Sequence, residues 1–358
     1  MSLRIVSSQD VNDVTASVPA ATFCAALGRT MASISGENAS QNGVEPNQNP
    51  LRTTTVTELH NTLYMPARLT TSEGSATAVK IVAVPRPGCP FPGLPACTVI
   101  FDEATGKPHS MVNAAALTGI RTAATSALAT TVLANPSSEV LVVFGTGMQA
   151  TWHARLILQL FPSIKSVTFL DQVVDERVQG VLARMQGDFG GVSFEARALA
   201  ESDEAVSKAD IICTCVPSRA PLFSLESLKE GVHLNCIGSY TPSMFEFPPA
   251  LVAPEPASPS APHIPTILTD YASASLAEAG ELISSKISPS SLIEIGTLID
   301  LQTGKLKDDA QTKETVAQLR QKGRSLFKCV GVGGMDVAIA DFVAKEAAKR
   351  GLGSVVDF

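Results

Sequence analysis

The sequence predicts an α/β protein in which a doubly wound parallel sheet is joined to a second, sheet-rich domain. Three observations carry that prediction. Between residues 139 and 237, short apolar runs alternate with helical segments, the pattern of parallel strands linked by crossover helices. One strand-to-helix junction holds the string Gly145-Thr146-Gly147-Met148-Gln149-Ala150. Ahead of that region the chain reads as strand, with little helix after about residue 35.

In chain order, residues 35–55 are rich in Asn, Gln, Gly and Ser and read as a mobile surface loop. Residues 58–69, 76–84 and 98–102 read as strands, and Thr105-Gly106-Lys107-Pro108 as a turn. Pro85, Pro87, Pro90, Pro92 and Pro95 rule out helix or central strand over 85–95, a second surface insertion. An Ala-, Leu- and Thr-rich helix over 114–134 stops at Asn135-Pro136. Strands follow at 139–144, 166–170, 192–196, 210–216 and 232–237. Helices run from the glycine string to about residue 161, at 174–186 and at 202–208. The Pro-rich stretch 248–265 reads as a third surface insertion, and 266–270 and 291–295 as extensions of the parallel sheet. A Gly-rich turn at 331–334 leads into a last helix over 336–350.

At 358 residues the chain is long enough for two cores. It is 45% apolar and 17% charged, a globular composition, and its net charge of −7 argues against a nucleic-acid partner, which needs a basic face. The seven cysteines are scattered without a C-x-x-C pair, and no histidine cluster accompanies them. That points to a reducing compartment and to no metal site, with Cys213 and Cys215 as small buried side chains. The polar first fifteen residues carry no signal peptide, and no apolar run suffices for a membrane span. A cytoplasmic location is the resulting expectation.

The glycine string has the context that gives it chemical meaning. It follows the strand Val140-Leu141-Val142-Val143-Phe144 and opens a helix, and Asp171 ends the next strand 26 residues after Gly145. Gly145 permits the tight turn, Gly147 lets a pyrophosphate approach the backbone, and Ala150 lets helix and sheet pack closely. Thr146, Met148 and Gln149 complete the turn, and the helix N-terminus offers its N–H groups to the phosphates. These features define a Rossmann-type dinucleotide site. Asp171 would accept hydrogen bonds from the ribose hydroxyls, which points to NAD; the nearby Arg177 keeps NADP as the alternative.

The string Leu117-Thr118-Gly119-Ile120-Arg121-Thr122-Ala123-Ala124-Thr125-Ser126, followed by the dinucleotide turn, resembles the ornithine cyclodeaminase/μ-crystallin family. Asn235-Cys236-Ile237-Gly238, Gly280-Glu281-Leu282 and Phe327-Lys328-Cys329-Val330-Gly331 with Asp336 resemble further signatures of that family. The resemblance spans roughly residues 60 to 350. It implies a homodimer and two domains: residues 1–115 with 322–358 for dimerisation and substrate, and 116–321 for the Rossmann domain. It also implies roles. Arg68 resembles the family's N-terminal arginine, Lys80 the lysine near the reacting carbon, and Arg121 the arginine that grips the substrate carboxylate. A guanidinium suits a carboxylate bidentately, and a lysine in a closed apolar site can protonate a C=N group. Thr122 would lie near the pyrophosphate or the substrate. Asp336 either caps the last helix or neighbours the active site.

One position departs from the family pattern. Tyr240, in Gly238-Ser239-Tyr240-Thr241-Pro242, stands where the cyclodeaminases carry an aspartate. A tyrosine is a poor general base at neutral pH, so the expected role of Tyr240 is to shape the substrate site. The expected activity is therefore NAD-dependent reduction of an imine next to a carboxylate, or the reverse oxidation of an amino acid. Deaminating cyclisation with internally recycled NAD, or ligand binding without turnover, are the competing readings. The partner is a small amino or imino acid.

Overall fold

The computed structural model describes residues 2–36, 44–91, 93–320 and 323–358. The loop expected at 35–55 falls in part on 37–43, which lie outside the described residues, as does Pro92 of the second insertion. The chain forms two compact units. One comprises the chain up to Arg121, Ile299–Lys305 and Val332–Phe358; the other comprises Thr122–Leu298 and Leu306–Gly331.

The first unit is built on β1 (Ser2–Val6), α1 (Ser8–Ala16), α2 (Ala20–Ser35), β2 (Thr53–Val56), β3 (His60–Thr71), β4 (Gly74–Pro85), β5 (Ala96–Phe101) and β6 (Pro108–Asn113). The strands form one sheet in the order C-terminal strand (Ser354–Asp357), β1, β6, β5, β4, β3, β2; β1 and β6 pair in parallel, the rest antiparallel. A tight turn at Ser72-Glu73, with Gly74 at φ +118°, sets Thr71 opposite Gly74 and so fixes the register of β3 against β4. That register puts Met65, Ala67 and Leu69 on one buried face with Ala78, Lys80 and Val82. The C-terminal helix (Gly333–Lys349) and α2 cover this face. Phe23, Leu27 and Met31 lie one turn apart on α2, and Phe23 meets Phe342 edge-on at 5.8 Å. Ile299–Lys305 joins this unit through a close backbone approach: a Cβ on Gly28 would lie 2.1 Å from the Gly304 carbonyl oxygen.

The second unit holds α3 (Ala115–Leu133) from Thr122 onward, β7 (Val140–Phe144), α4 (Met148–Leu160), β8 (Ser166–Asp171), α5 (Glu176–Asp188), β9 (Ser193–Ala198), α6 (Ser202–Lys208), β10 (Ile211–Thr214), β11 (His233–Cys236), β12 (Ile267–Thr269), β13 (Leu292–Glu294) and β14 (Ser325–Lys328). All eight strands are parallel, in the order β13, β12, β14, β11, β10, β7, β8, β9. β7 lies next to β8 and β10, where the strand order reverses, the position at which such sheets open a ligand crevice.

Two expectations change. The chain returns to the first unit at Val332 and not at 322, because β14 is an interior strand of the parallel sheet between β11 and β12. The stretch 248–265 is more than a surface insertion. Leu251, Val252 and Ile264 are buried in the apolar cluster that packs this sheet, and the Ile264 N–H donates to the Leu251 carbonyl at 2.7 Å. Only its middle is exposed.

Candidate active site

The dinucleotide turn begins where β7 ends. Gly145 adopts φ +92°, and a Cβ there would lie 2.6 Å from Val216 Cγ1, so both conformation and space demand glycine. Gly147 is the N-cap of α4 and makes no side-chain capping bond; a Cβ on it would meet nothing within 4 Å. The start of α4 thus has no side-chain cap, and the space beside Gly147 is open. Thr146 and Ala150 are buried, Met148 and Gly147 are exposed, and Gln149 is half-buried. His153, fully buried, donates from Nδ1 to the Gln149 carbonyl at 2.7 Å and meets Ser126 Oγ at 2.9 Å, which ties α4 to α3. Burial lowers its pKa to about 4, so the ring is neutral.

Asp171 closes β8 beside the turn. Its Oδ2 accepts from the Thr146 hydroxyl and from Arg177 Nη2 at 3.3 Å, and its Oδ1 accepts from the Gln172 N–H at 2.8 Å. Burial pushes this carboxyl up, but the bonds from Thr146, Arg177 and Gln172 outweigh it and hold the pKa below its ordinary value. The bare glycine turn, the uncapped helix and the ionised acid fit a dinucleotide's pyrophosphate and ribose. Tyr240 is half-buried in the loop after β11, just beyond Gly238, which packs so tightly that a Cβ would lie 2.2 Å from the Val216 carbonyl oxygen. Thr122 is buried in α3.

The first unit gathers three of the expected residues into one buried cluster. Lys80 Nζ lies 2.7 Å from Asp336 Oδ2, and Arg121 Nε lies 3.3 Å from Asp336 Oδ1. All three side chains are at least nine-tenths buried. Burial lowers the pKa of Lys80 from 10.5 to about 8; the Asp336 carboxylate opposes that shift, and the positive charges of Arg121 and Arg52 add to it. Asp336 does not cap its helix. The N-cap is Val332, and the Gly334 N–H is met instead by Asn49 Oδ1 at 2.7 Å. Gly333 brings the helix start against β3, where its Cβ would be 2.9 Å from that of Ala67.

Arg68 does not join this cluster. It lies on the opposite face of the sheet, with Nε and Nη2 each 2.8 Å from the Glu103 carboxylate and Nη1 bonded to the carbonyls of Glu45 and Pro46. The register explains the difference: Met65 pairs with Lys80 whereas Arg68 pairs with Thr77, and neighbouring residues on a strand alternate faces. Arg52 is the arginine on the lysine's side. Extending the pairing of Thr53 with Tyr64 by one residue sets Arg52 in line with Met65 and Lys80. Sequence reading missed it because β2 is short and polar.

A second buried charge cluster was also missed. Lys328 Nζ on β14 lies 2.9 Å from Glu246 Oε2 and 3.0 Å from Glu281 Oε1, all three fully buried. Glu246 Oε1 accepts the Gly238 N–H at 2.6 Å, so this cluster fixes the end of β11 below the Ser239-Tyr240 loop. Among the described residues, no group of His, Cys, Asp and Glu could hold a metal ion, and no helix is long and apolar enough to cross a membrane.

Comparisons with known proteins bear on this arrangement. Residues 16–253 match the profile of the Ornithine cyclodeaminase/mu-crystallin family. A Delta(1)-pyrroline-2-carboxylate reductase of Bacillus cereus is 28% identical over 265 residues, 73% of each chain. Among solved structures, the Thermococcus litoralis Delta(1)-pyrroline-2-carboxylate reductase, in complex with NADH and L-proline, is similar with a TM-score of 0.78 and 21% identity, over 98% of this chain and 99% of that one. An archaeal alanine dehydrogenase dimer with bound NAD is similar with a TM-score of 0.77 and 21% identity, over the whole of both chains. The profile match covers well over half of the sequence, and the chain belongs to the ornithine cyclodeaminase/mu-crystallin family.

Proposed function

We propose that the protein reduces an imine next to a carboxylate, a cyclic or open ketimine acid, with NADH as hydride source, and runs the reverse oxidation when supplied with the amino acid and NAD. The observation that carries this reading is the buried set of Lys80, Asp336 and Arg121. Bound at the glycine turn, the dinucleotide supplies a hydride for the imine carbon. Arg121, with Arg52 on the same sheet face, holds the substrate carboxylate by charge-assisted hydrogen bonds. Lys80, with a pKa of about 8, still carries its proton at neutral pH and gives it to the imine nitrogen. Asp336 aims the amine and offsets the cost of burying its charge. Carbon gains the hydride and nitrogen the proton, and the product is an amine.

The curated relative of Bacillus cereus bears the name of such a reductase, which supports this reading over cyclisation. Tyr240, which has no carboxylate to act as base, supports it as well. The test is product analysis with a panel of cyclic ketimine acids and with ornithine. Amine formation with matching loss of reduced cofactor is expected; proline from ornithine without net cofactor change would instead identify a cyclodeaminase, and tight binding without turnover a ligand-binding protein.

The working form proposed is a homodimer in a reducing, cytoplasmic setting. All seven cysteines are free thiols, which supports that compartment. Pro66, Val79, Val99, Met111 and Ile5 stand in register across five strands, on the face turned away from Lys80. Such an apolar row across the sheet suits a second copy, and the similar alanine dehydrogenase is described as a dimer. Light scattering should give twice the chain mass, and Val99→Glu should give the monomer; a monomeric wild type rejects this assembly.

A further inference from the structure

Asp171 is placed to select NAD by repelling a phosphate on the ribose 2′-oxygen, but that argument assumes a carboxylate standing alone. Here it does not. Arg177, the second residue of α5, donates from Nη2 to Asp171 Oδ2 at 3.3 Å and from Nη1 to Thr146 Oγ1 at 2.6 Å, and Thr146 in turn donates to Asp171. The guanidinium is thus tied both to the acid that meets the ribose and to a residue of the phosphate turn itself. Its side chain remains more than half exposed, so its outer edge is open to a ligand. The charges set against it are Asp175, 3.9 Å from its Nε, and the exposed Glu176 at the start of the same helix.

We propose that Arg177 is a cofactor-specificity residue, which cancels the phosphate-excluding charge of Asp171 and lets the site take both NADH and NADPH. The proposal rests on the dinucleotide reading above. A 2′-phosphate set beside Asp171 would meet a guanidinium within the same few ångströms as the carboxylate, and an arginine fork fits phosphate oxygens in pairs. A free 2′-hydroxyl would instead donate to Asp171.

Equilibrium binding of NADH and of NADPH to the purified protein, followed by fluorescence or calorimetry, tests this without turnover. The wild type should bind the two within about tenfold of each other. Arg177→Ala should weaken NADPH by about tenfold or more while changing NADH by less than about threefold. Arg177→Lys should restore part of the NADPH affinity, and thermal unfolding should confirm that each variant is folded. The NADPH affinity should also fall more steeply with added salt. NADH binding with NADPH excluded in the wild type would overturn the proposal and leave the dinucleotide site standing, as would an equal loss of both ligands in Arg177→Ala. Failure of both to bind the wild type would overturn the dinucleotide reading and this proposal together.

Discussion

Replacing Lys80 with methionine lowers the turnover of imine reduction by about 10²–10⁴-fold, the usual worth of a positioned proton donor. Methionine keeps the length and apolar bulk of the lysine stem between Met65 and Thr98, its cross-strand partners, so packing changes little. Binding of the reduced dinucleotide should be unchanged, because the turn at Gly145 and the carboxylate of Asp171 belong to the other unit. The proton inventory gives the loss a signature in pH. The folded pKa of Lys80 is about 8, below its ordinary 10.5. Reduction needs the ammonium form, so its rate falls as pH rises through about 8, and the reverse oxidation, which needs the free amine, rises over the same range. Stability from this group rises over the same range of pH. Folding favours loss of this proton, so the group costs stability below pH 8, and that cost is relieved between 8 and 10.5. A rate profile flat across pH 8 in the wild type, or a methionine variant with ordinary turnover, contradicts the role given to Lys80.

The largest effect on stability belongs to Lys328. Lys328→Met strands Glu246 and Glu281 as two buried carboxylates facing the position of the lost cation, and costs about 3–5 kcal/mol. Burial works against the charge on Lys328, yet the two glutamates outweigh it and raise its pKa; the same burial, with Glu281 as neighbour, raises the pKa of Glu246. The pair is therefore sound only while both signs are present. A combined Lys328→Met, Glu246→Gln, Glu281→Gln variant should recover most of the loss, since no unpaired charge is left inside. Denaturant unfolding of the single and triple variants checks this. A single variant within about 1 kcal/mol of the wild type would mean that water reaches the cluster and the charges are not truly enclosed.

How much of this could be read from the chain depended on whether the deciding interaction was local. The strand from Val140 to Phe144, the turn from Gly145, and Asp171 closing the next strand are all set by short-range periodicity and by residue types with one physical use, and the structure places them together as the spacing implies. Lys80, Arg121 and Asp336 come from three distant parts of the sequence, and it was the family resemblance, not periodicity, that brought them to one site. Arg68 was misplaced by strand parity. A two-residue turn at Ser72-Glu73 sets Met65 against Lys80, and that count alone would have sent Arg68 to the other face. Arg52 precedes a strand too short and polar to show in the sequence, and Lys328, although in a stretch that resembles the family, takes its significance from Glu246 and Glu281, far away along the chain.

The claim on which the rest depends is that hydride passes between the cofactor and the carbon that bears the carboxylate. Reduced dinucleotide carrying deuterium at its transferable position, incubated with a cyclic ketimine acid and the enzyme, tests it directly. Deuterium is expected at the α-carbon of the amino acid formed, one label for each cofactor oxidised. Product formed without label, or label retained on a cofactor that shows no net oxidation, would contradict it.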